Sequence, residues 1–147
     1  MVKRTIKYTD FNGEQRVEDF YFNLTAAEVA KMEWSKNGGL STFMKRIFDA
    51  KDVTEITKVI DQVIMEAYGE KSGDGKYFVK GKDHEKARAF METQAYSDFY
   101  FDLISRKGAM AQFFNELVPK ELASKAEVLA KQAEEEEAKR LEGAIGA

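Results

Sequence analysis

Side chains that could carry out catalysis or bind a metal are few in this sequence of 147 residues. His84 is the single histidine and there is no cysteine, so a histidine-rich or thiolate metal site and a Ser–His pair have little to draw on. Asp74 and Asp83 lack the regular spacing of oxygen ligands that a calcium loop requires. We therefore predict no catalytic residue, no metal site and no cofactor, and interpret His84 as an exposed polar residue on a lysine-rich turn.

The segment Gly69–Ser72 superficially resembles the end of a phosphate-binding loop. Such a loop needs an earlier glycine, but position 65 holds methionine, and Lys71 does not directly follow a glycine. A helical pattern precedes the segment, where a phosphate-binding loop requires a strand. We reject the interpretation as a nucleotide site.

A basic segment between Lys71 and Arg88 contains two adjacent aromatic residues, Tyr77 and Phe78. Basic residues interleaved with aromatics could suit nucleic acid. However, acidic residues dilute the charge of the segment, and the chain as a whole has a formal net charge of -3. We favour a solvated loop that Tyr77 and Phe78 hold in place. An acidic protein partner is the second interpretation and nucleic acid the third, so Tyr77 and Phe78 are candidate partner-binding residues.

The elements that must position these residues begin with a β-hairpin over Thr5–Phe22. The pair Asn12-Gly13 is a strong turn signal between two segments of high β-propensity. We favour a bulged turn with a left-handed glycine, which places Ile6 opposite Phe20, over a two-residue turn that shifts the pairing by one residue.

A two-stranded hairpin is marginally stable alone. Phe20 and Phe22 must therefore pack on the helices or pair with another chain, and an exposed strand edge is a docking site. Both residues are candidate partner-binding residues.

Helical periodicity covers much of the following chain. Thr25 and Glu28 match a capping box that starts a helix, and this helix stops at Asn37-Gly38-Gly39. A second stripe runs from Leu40 to Phe48. The inward residues of the first helix are Val29, Ala30 and Trp34.

The next helix starts at Asp52 or Thr54 and has the broadest apolar face of the chain. We predict that it is central and buried on more than one side. Its apolar residues are Val53, Ile56, Val59, Ile60, Val63, Ile64 and Ala67.

Beyond the turn residues Ser72–Gly75, three helices are predicted: a short polar one over Asp83–Met91, one over Tyr96–Ile104, and one that Pro119 ends. Phe101 falls off the apolar face of the second of these. It either packs on another element or is exposed as a binding anchor.

From Lys120 onward the composition changes to alanine, glutamate and lysine. Charge pairs in the favourable i, i+4 order support a helix. Leu122 and Leu129 lie one heptad apart, but the series continues with Glu136, so the apolar seam is weak. We predict one domain of hairpin plus helices over residues 1–119 and a helical arm over residues 120–147, with Leu122 and Leu129 as candidate partner contacts.

Two short blocks resemble a known family. The first is YGEKS at Tyr68–Ser72 followed by Asp74-Gly75-Lys76, Phe78 and Lys80, and the second is Thr93, Ala95-Tyr96-Ser97 and Phe99. In these blocks the chain is similar to the tail assembly chaperones of long-tailed bacteriophages, over roughly Leu40 to Pro119. Phe113, Phe114 and Pro119 fit the family's last helix.

The resemblance implies a non-enzymatic chaperone that binds the tape measure protein and keeps it soluble while the tail is built. It implies the host cytoplasm as the location and absence from the mature virion. The tail tube protein is a further candidate partner, and self-association is expected. Neither a membrane nor nucleic acid is an expected partner.

Composition agrees with a single helical domain: charged residues make up 33% and hydrophobic residues 44%. No apolar run approaches the length of a membrane span, and the first residues do not resemble a signal peptide. The predicted fold is mainly α, with an N-terminal β-hairpin, a compact helical bundle and a charged C-terminal helix. The rival functions are a structural tail or adaptor protein retained in the virion and a small nucleic-acid-binding regulator.

Overall fold

The computed structural model of the chain describes residues 1–35, 53–119, 135 and 137–143. Several predictions lie outside these residues: the helix stop at Asn37-Gly38-Gly39, the stripe from Leu40 to Phe48, and the candidate residues Leu122 and Leu129. The predicted inward position of Trp34 also lies outside the described part, which there covers the backbone alone.

The first two strands confirm the predicted hairpin. Strand β1 (Val2–Thr9) pairs antiparallel with β2 (Gln15–Phe22). The predicted register is wrong, because Ile6 lies opposite Glu18, and Phe20 lies opposite Arg4.

The side chain of Asp10 explains this register. Its Oδ1 accepts hydrogen bonds from the amides of Asn12 and Glu14, each at 2.9 Å, and its Oδ2 pairs with Arg16 Nε at 2.7 Å. The bond from Arg16 lowers the pKa of Asp10 below its ordinary value. The loop is therefore longer than either predicted turn, although Gly13 is left-handed as predicted, with φ of 81°.

The predicted fold class is wrong, because the sheet has four strands where a lone hairpin was expected. Strand β3 (Tyr68–Lys71) pairs antiparallel with β2, and β4 (Phe78–Val79) pairs antiparallel with β3, which gives the order β1-β2-β3-β4. The described chain is a mixed α and β fold. Strands of four and two residues are too short to show an alternating pattern, so periodicity alone could not reveal them.

Five α-helices lie within the described residues 26–35 and 53–117. They are α1 (Ala26–Ser35), α2 (Val53–Ala67), α3 (Glu85–Met91), α4 (Gln94–Ser105) and α5 (Ala109–Leu117), with a 3-10 turn at Lys82–His84 before α3. Residues 137–143 are also helical and exposed.

The ends of these helices follow the sequence signals. The capping box of α1 is confirmed, because the Thr25 amide donates to Glu28 Oε1 at 3.0 Å and the Glu28 amide donates to Thr25 Oγ1 at 3.1 Å. Helix α4 begins after Thr93, whose Oγ1 accepts from the amide of Tyr96 at 3.2 Å.

The central burial of α2 is confirmed. Val59, Ile60, Val63, Ile64 and Ala67 are all buried. In α1, Val29 is buried as predicted, but Ala30 is exposed.

An aromatic cluster joins the sheet to the helices, and Phe22 is at its centre. The Phe22 ring lies 5.1 Å from Phe99 of α4, 5.2 Å from Phe113 of α5 and 5.8 Å from Phe90 of α3, measured between ring centroids. Tyr68 of β3 stacks on Phe90 at 4.4 Å. Such contacts add about 0.5–1.5 kcal/mol per pair beyond area burial, so they fix how the helices seat on the sheet.

Candidate partner-binding cleft

The β3–β4 hairpin is held by a compact network of hydrogen bonds in its turn. The amide of Ser72 donates to the carbonyl of Tyr77 at 2.8 Å, and Ser72 Oγ accepts from the Tyr77 amide at 3.0 Å. Asp74 Oδ1 accepts from Ser72 Oγ at 2.7 Å and from the Lys76 amide at 3.1 Å. These bonds lower the pKa of Asp74, with the largest contribution from Ser72. The turn also needs a left-handed residue, which Gly75 supplies with φ of 76°.

Gly69 lets an aromatic ring close over the middle of this hairpin. A Cβ at position 69 would lie 2.9 Å from Cδ1 of Phe78 and 2.9 Å from the carbonyl oxygen of Val79. Those distances are shorter than a van der Waals contact, so the half-buried ring of Phe78 can occupy its position only because residue 69 has no side chain.

Lys80 connects the end of this hairpin to two helices. Its Nζ donates to the carbonyl of Asn23 at 2.9 Å, to the carbonyl of Glu66 at 2.6 Å, and to the carboxylate of Glu28. Glu66 belongs to the last turn of α2, whose carbonyls have no partner within the helix. One ammonium group thus joins the start of α1 to the end of α2.

The electrostatics of Glu28 reflect this contact. Burial pushes the pKa of the Glu28 carboxyl upward, but the hydrogen bonds from Lys80 and from the Thr25 amide outweigh burial and lower the pKa below its ordinary value. The lowered pKa keeps the Glu28 carboxyl charged at neutral pH, as the contact with the Lys80 ammonium requires.

A cleft of about 460 Å³ opens beside this ion pair. Its apolar surface comes from exposed Met1 and Tyr77 and from half-buried Phe78. Lys71 and Lys76 line it as well. The remaining lining residues are Asn23, Thr25, Glu28, Gly75 and Lys80.

The described residues that line the cleft carry a net positive charge. Among them Glu28 is the one acidic residue, and Lys80 pairs with its carboxylate. Among the described residues, neither Lys71 nor Lys76 has an ion-pair partner, although Lys71 Nζ lies 5.8 Å from the ring centroid of Tyr21. Chemically, the cleft offers two ammonium groups beside apolar surface, which suits a segment that carries both carboxylates and apolar side chains.

Only some of the predicted partner-binding residues lie at this cleft. Tyr77 and Phe78 both line the cleft. Phe20 and Phe22 are buried in the core, so they pack on the helices, the first of the two predicted outcomes. Phe101 is 60% exposed on α4, where its ring meets Tyr100 at 5.8 Å, and it does not line the cleft.

The sequence analysis did not place Met1 or Glu28 near the basic segment, and it did not predict that Lys80 of that segment pairs with Glu28. Glu28 was assigned only to the capping box, and it serves both the cap and the ion pair. Lys80 ends the first family-like block, which was the available signal, but its partners lie far away in the sequence.

His84 lies at a second, smaller hollow of about 330 Å³ with Asp61, Gln62, Met65 and Glu66. The prediction that His84 is exposed is wrong, because it is half-buried. The Asp61 carboxylate accepts a hydrogen bond from the hydroxyl of Tyr96. Within residues 1–35 and 53–119 and the described C-terminal residues, no three His, Asp or Glu side chains are grouped so that they could hold a metal ion.

Comparison with known proteins identifies the family. The family model for phage tail assembly chaperones matches residues 1–143. The chain therefore belongs to the phage tail assembly chaperone family, as its two sequence blocks indicated. Membership implies partners among tail proteins in general. No curated protein and no solved structure gives a significant match. In the part of the chain that the structure describes, no helix has the length and apolarity needed to cross a membrane.

Proposed function

We propose that this chain binds the tape measure protein and keeps it soluble until the tail tube encloses it. It acts by binding, without catalysis, in the host cytoplasm, and it leaves before the virion is complete. Its family membership across residues 1–143 is the observation that carries the proposal.

The chemistry of a tape measure protein explains why a chaperone is needed. The family resemblance implies a long helical chain with apolar stripes, which would aggregate if they stayed exposed to water. A partner that covers one stripe by helix-in-groove contact prevents this without any covalent step.

The cleft beside the β3–β4 hairpin supports this role as the contact site. Tyr77 is 65% exposed at its rim, yet its backbone is fixed by two hydrogen bonds with Ser72. A tyrosine side chain has only two rotatable side-chain torsions, so on a fixed backbone it loses little conformational entropy when it binds, which is typical of residues that dominate an interface. Residues 1–119 would form the chaperone domain and residues 120–147 an arm for contacts between copies.

The direct test is co-expression of this chain, carrying an affinity tag, with the tape measure protein of the same phage. We expect the tape measure protein to move from the insoluble to the soluble fraction and to be captured through the tag. Tyr77→Ala should reduce capture about tenfold, since truncating an aromatic contact residue removes about 1.4 kcal/mol of binding free energy.

Phe11→Ala is the matched control, because Phe11 is an exposed aromatic residue at the tip of the other hairpin, and it is 79% exposed. Equal capture by wild type, Tyr77→Ala and Phe11→Ala would exclude the cleft as the contact site. Failure of the wild-type chain to capture or solubilise the tape measure protein would refute the function itself.

Mass analysis of purified virions separates this function from that of a structural tail or adaptor protein. A chaperone should be absent from the particle. Stoichiometric amounts in the virion would overturn the proposal in favour of a retained structural component.

A further inference from the structure

The cleft and the C-terminal arm of this chain have complementary chemistry. The cleft presents Lys71 and Lys76 beside the exposed ring of Tyr77. In the arm, residues 134–137 are four consecutive glutamates, and Leu141 follows one helical turn after Glu137. The arm therefore combines carboxylates with an apolar side chain, which is the combination that the cleft suits.

The described part of the arm leaves these groups in water. Residues 137–143 are helical, Glu135, Glu137 and Glu142 are exposed, and Leu141 is 56% exposed. Among the described residues, none of these glutamates forms an ion pair with residues 1–119.

We propose that the arm of one copy occupies the cleft of a second copy. Within the described part of a single chain, Glu135, Glu137 and Leu141 are exposed, and none of them lines the cleft, so these two surfaces do not meet in cis. In the assembly, Glu137 and Leu141 lie on one face of the arm helix because they are four residues apart, and this face meets the two lysines and Tyr77.

This contact would give the chaperone a built-in occupant for its own cleft. The competition between the arm and the tape measure protein rests on the proposed function. The proposed self-association does not rest on it, because it is measured on the purified chain alone.

The test is sedimentation equilibrium of the purified full chain over a concentration series, at low and at high salt. The wild-type chain should self-associate, and the association should weaken as salt screens the charges. Lys71→Glu with Lys76→Glu, and separately Glu134→Lys with Glu137→Lys, which are three residues apart, should each weaken it roughly tenfold.

The decisive sample is a mixture of these two double variants. Opposite charges face each other again in the mixture, so unlike chains should associate although each variant alone does so poorly. Lys7→Glu with Lys107→Glu is the matched control, because it makes the same charge change at exposed positions that do not line the cleft. It should associate as the wild type does.

Circular dichroism and the unfolding midpoint establish that each variant is folded; the substituted residues Lys7, Lys71, Lys76, Lys107 and Glu137 are exposed. A wild-type chain that stays monomeric at every concentration would overturn the proposal. Two double variants that associate as the wild type does, or a mixture that fails to associate, would overturn it as well. None of these results depends on the tape measure protein, so failure here and failure of co-expression capture are distinguishable.

Discussion

Replacing Lys80 with methionine tests whether this residue, the last of the first family-like block, stabilises the folded chain. Methionine keeps the length and the apolar stem of the side chain but removes the ammonium group. Two backbone carbonyls, of Asn23 and Glu66, then lose their donor, and the carboxylate of Glu28 loses its positive partner.

The magnitude follows from the exposure of the pair. The Lys80 side chain is 16% exposed and that of Glu28 is 32% exposed, so water can replace some of the lost bonds but not all. Hydrogen bonds to charged groups contribute about 1.5–3 kcal/mol each, and breaking a fully buried pair costs about 3–5 kcal/mol. With partial replacement by water, we expect Lys80→Met to lower the free energy of unfolding by about 2–4 kcal/mol.

Urea unfolding at pH 7 measures this loss, and a double-mutant cycle with Glu28→Gln separates the ion pair from the carbonyl contacts. The coupling free energy between the two substitutions should be about 1–2 kcal/mol. It should disappear in acid: the folded-state pKa of Glu28 is depressed, so its stabilising contribution is present above its unfolded pKa and is lost as the pH falls through the folded value. A loss below about 0.5 kcal/mol, within the range of ordinary surface changes, would refute the structural role of Lys80.

Three further substitutions test the packing of the core, the loss of stability at high pH and the close packing within the β3–β4 hairpin. Ile60→Ala should lower the free energy of unfolding by about 2–5 kcal/mol, because Ile60 is fully buried in α2, and an unchanged denaturant midpoint would contradict the central place of that helix. Burial raises the pKa of Tyr68 to about 12, so this residue's stabilising contribution is complete below pH 10 and is lost as the pH rises towards 12. As the pH rises, the free energy of unfolding of Tyr68→Phe should fall by roughly 2–3 kcal/mol less than that of the wild type. If it falls as steeply with pH as in the wild type, Tyr68 does not cause the loss. Gly69→Ala should destabilise by about 1–3 kcal/mol because its Cβ meets the ring of Phe78, whereas Gly73→Ala, which has nothing within 4 Å, is the control; equal midpoints would contradict the close approach.

Long elements with a strong period were predictable from the sequence. Helix α2 was predicted to have a broad apolar face, and its residues Val59, Ile60, Val63, Ile64 and Ala67 are buried as expected, while Ile56 is half-buried. The capping box of α1 was equally clear, because Thr25 and Glu28 lie three residues apart and need only each other.

Features that depend on distant residues were not predictable. The register of the first hairpin is set by hydrogen bonds to the Asp10 carboxylate, and the turn signal Asn12-Gly13 does not predict those bonds. Strand β3 has four residues, and it is a strand because the end of β2 is available to pair with it. The cleft combines Met1, Glu28 and Lys80 from three separate parts of the chain, and only the folded structure brings them together.

The hairpin over residues 68–80 shows that resemblance to a family and contact with a partner are different properties of a residue. Tyr68 is buried, Gly69 is covered by an aromatic ring, and Lys80 holds two helices, so substitutions there change the fold first. Lys76 and Tyr77 are exposed at the cleft. Reduced tail assembly after a change at the first three positions must therefore be judged against the amount of folded protein. The same reduction after a change at Lys76 or Tyr77, with the unfolding midpoint unchanged, reports binding directly.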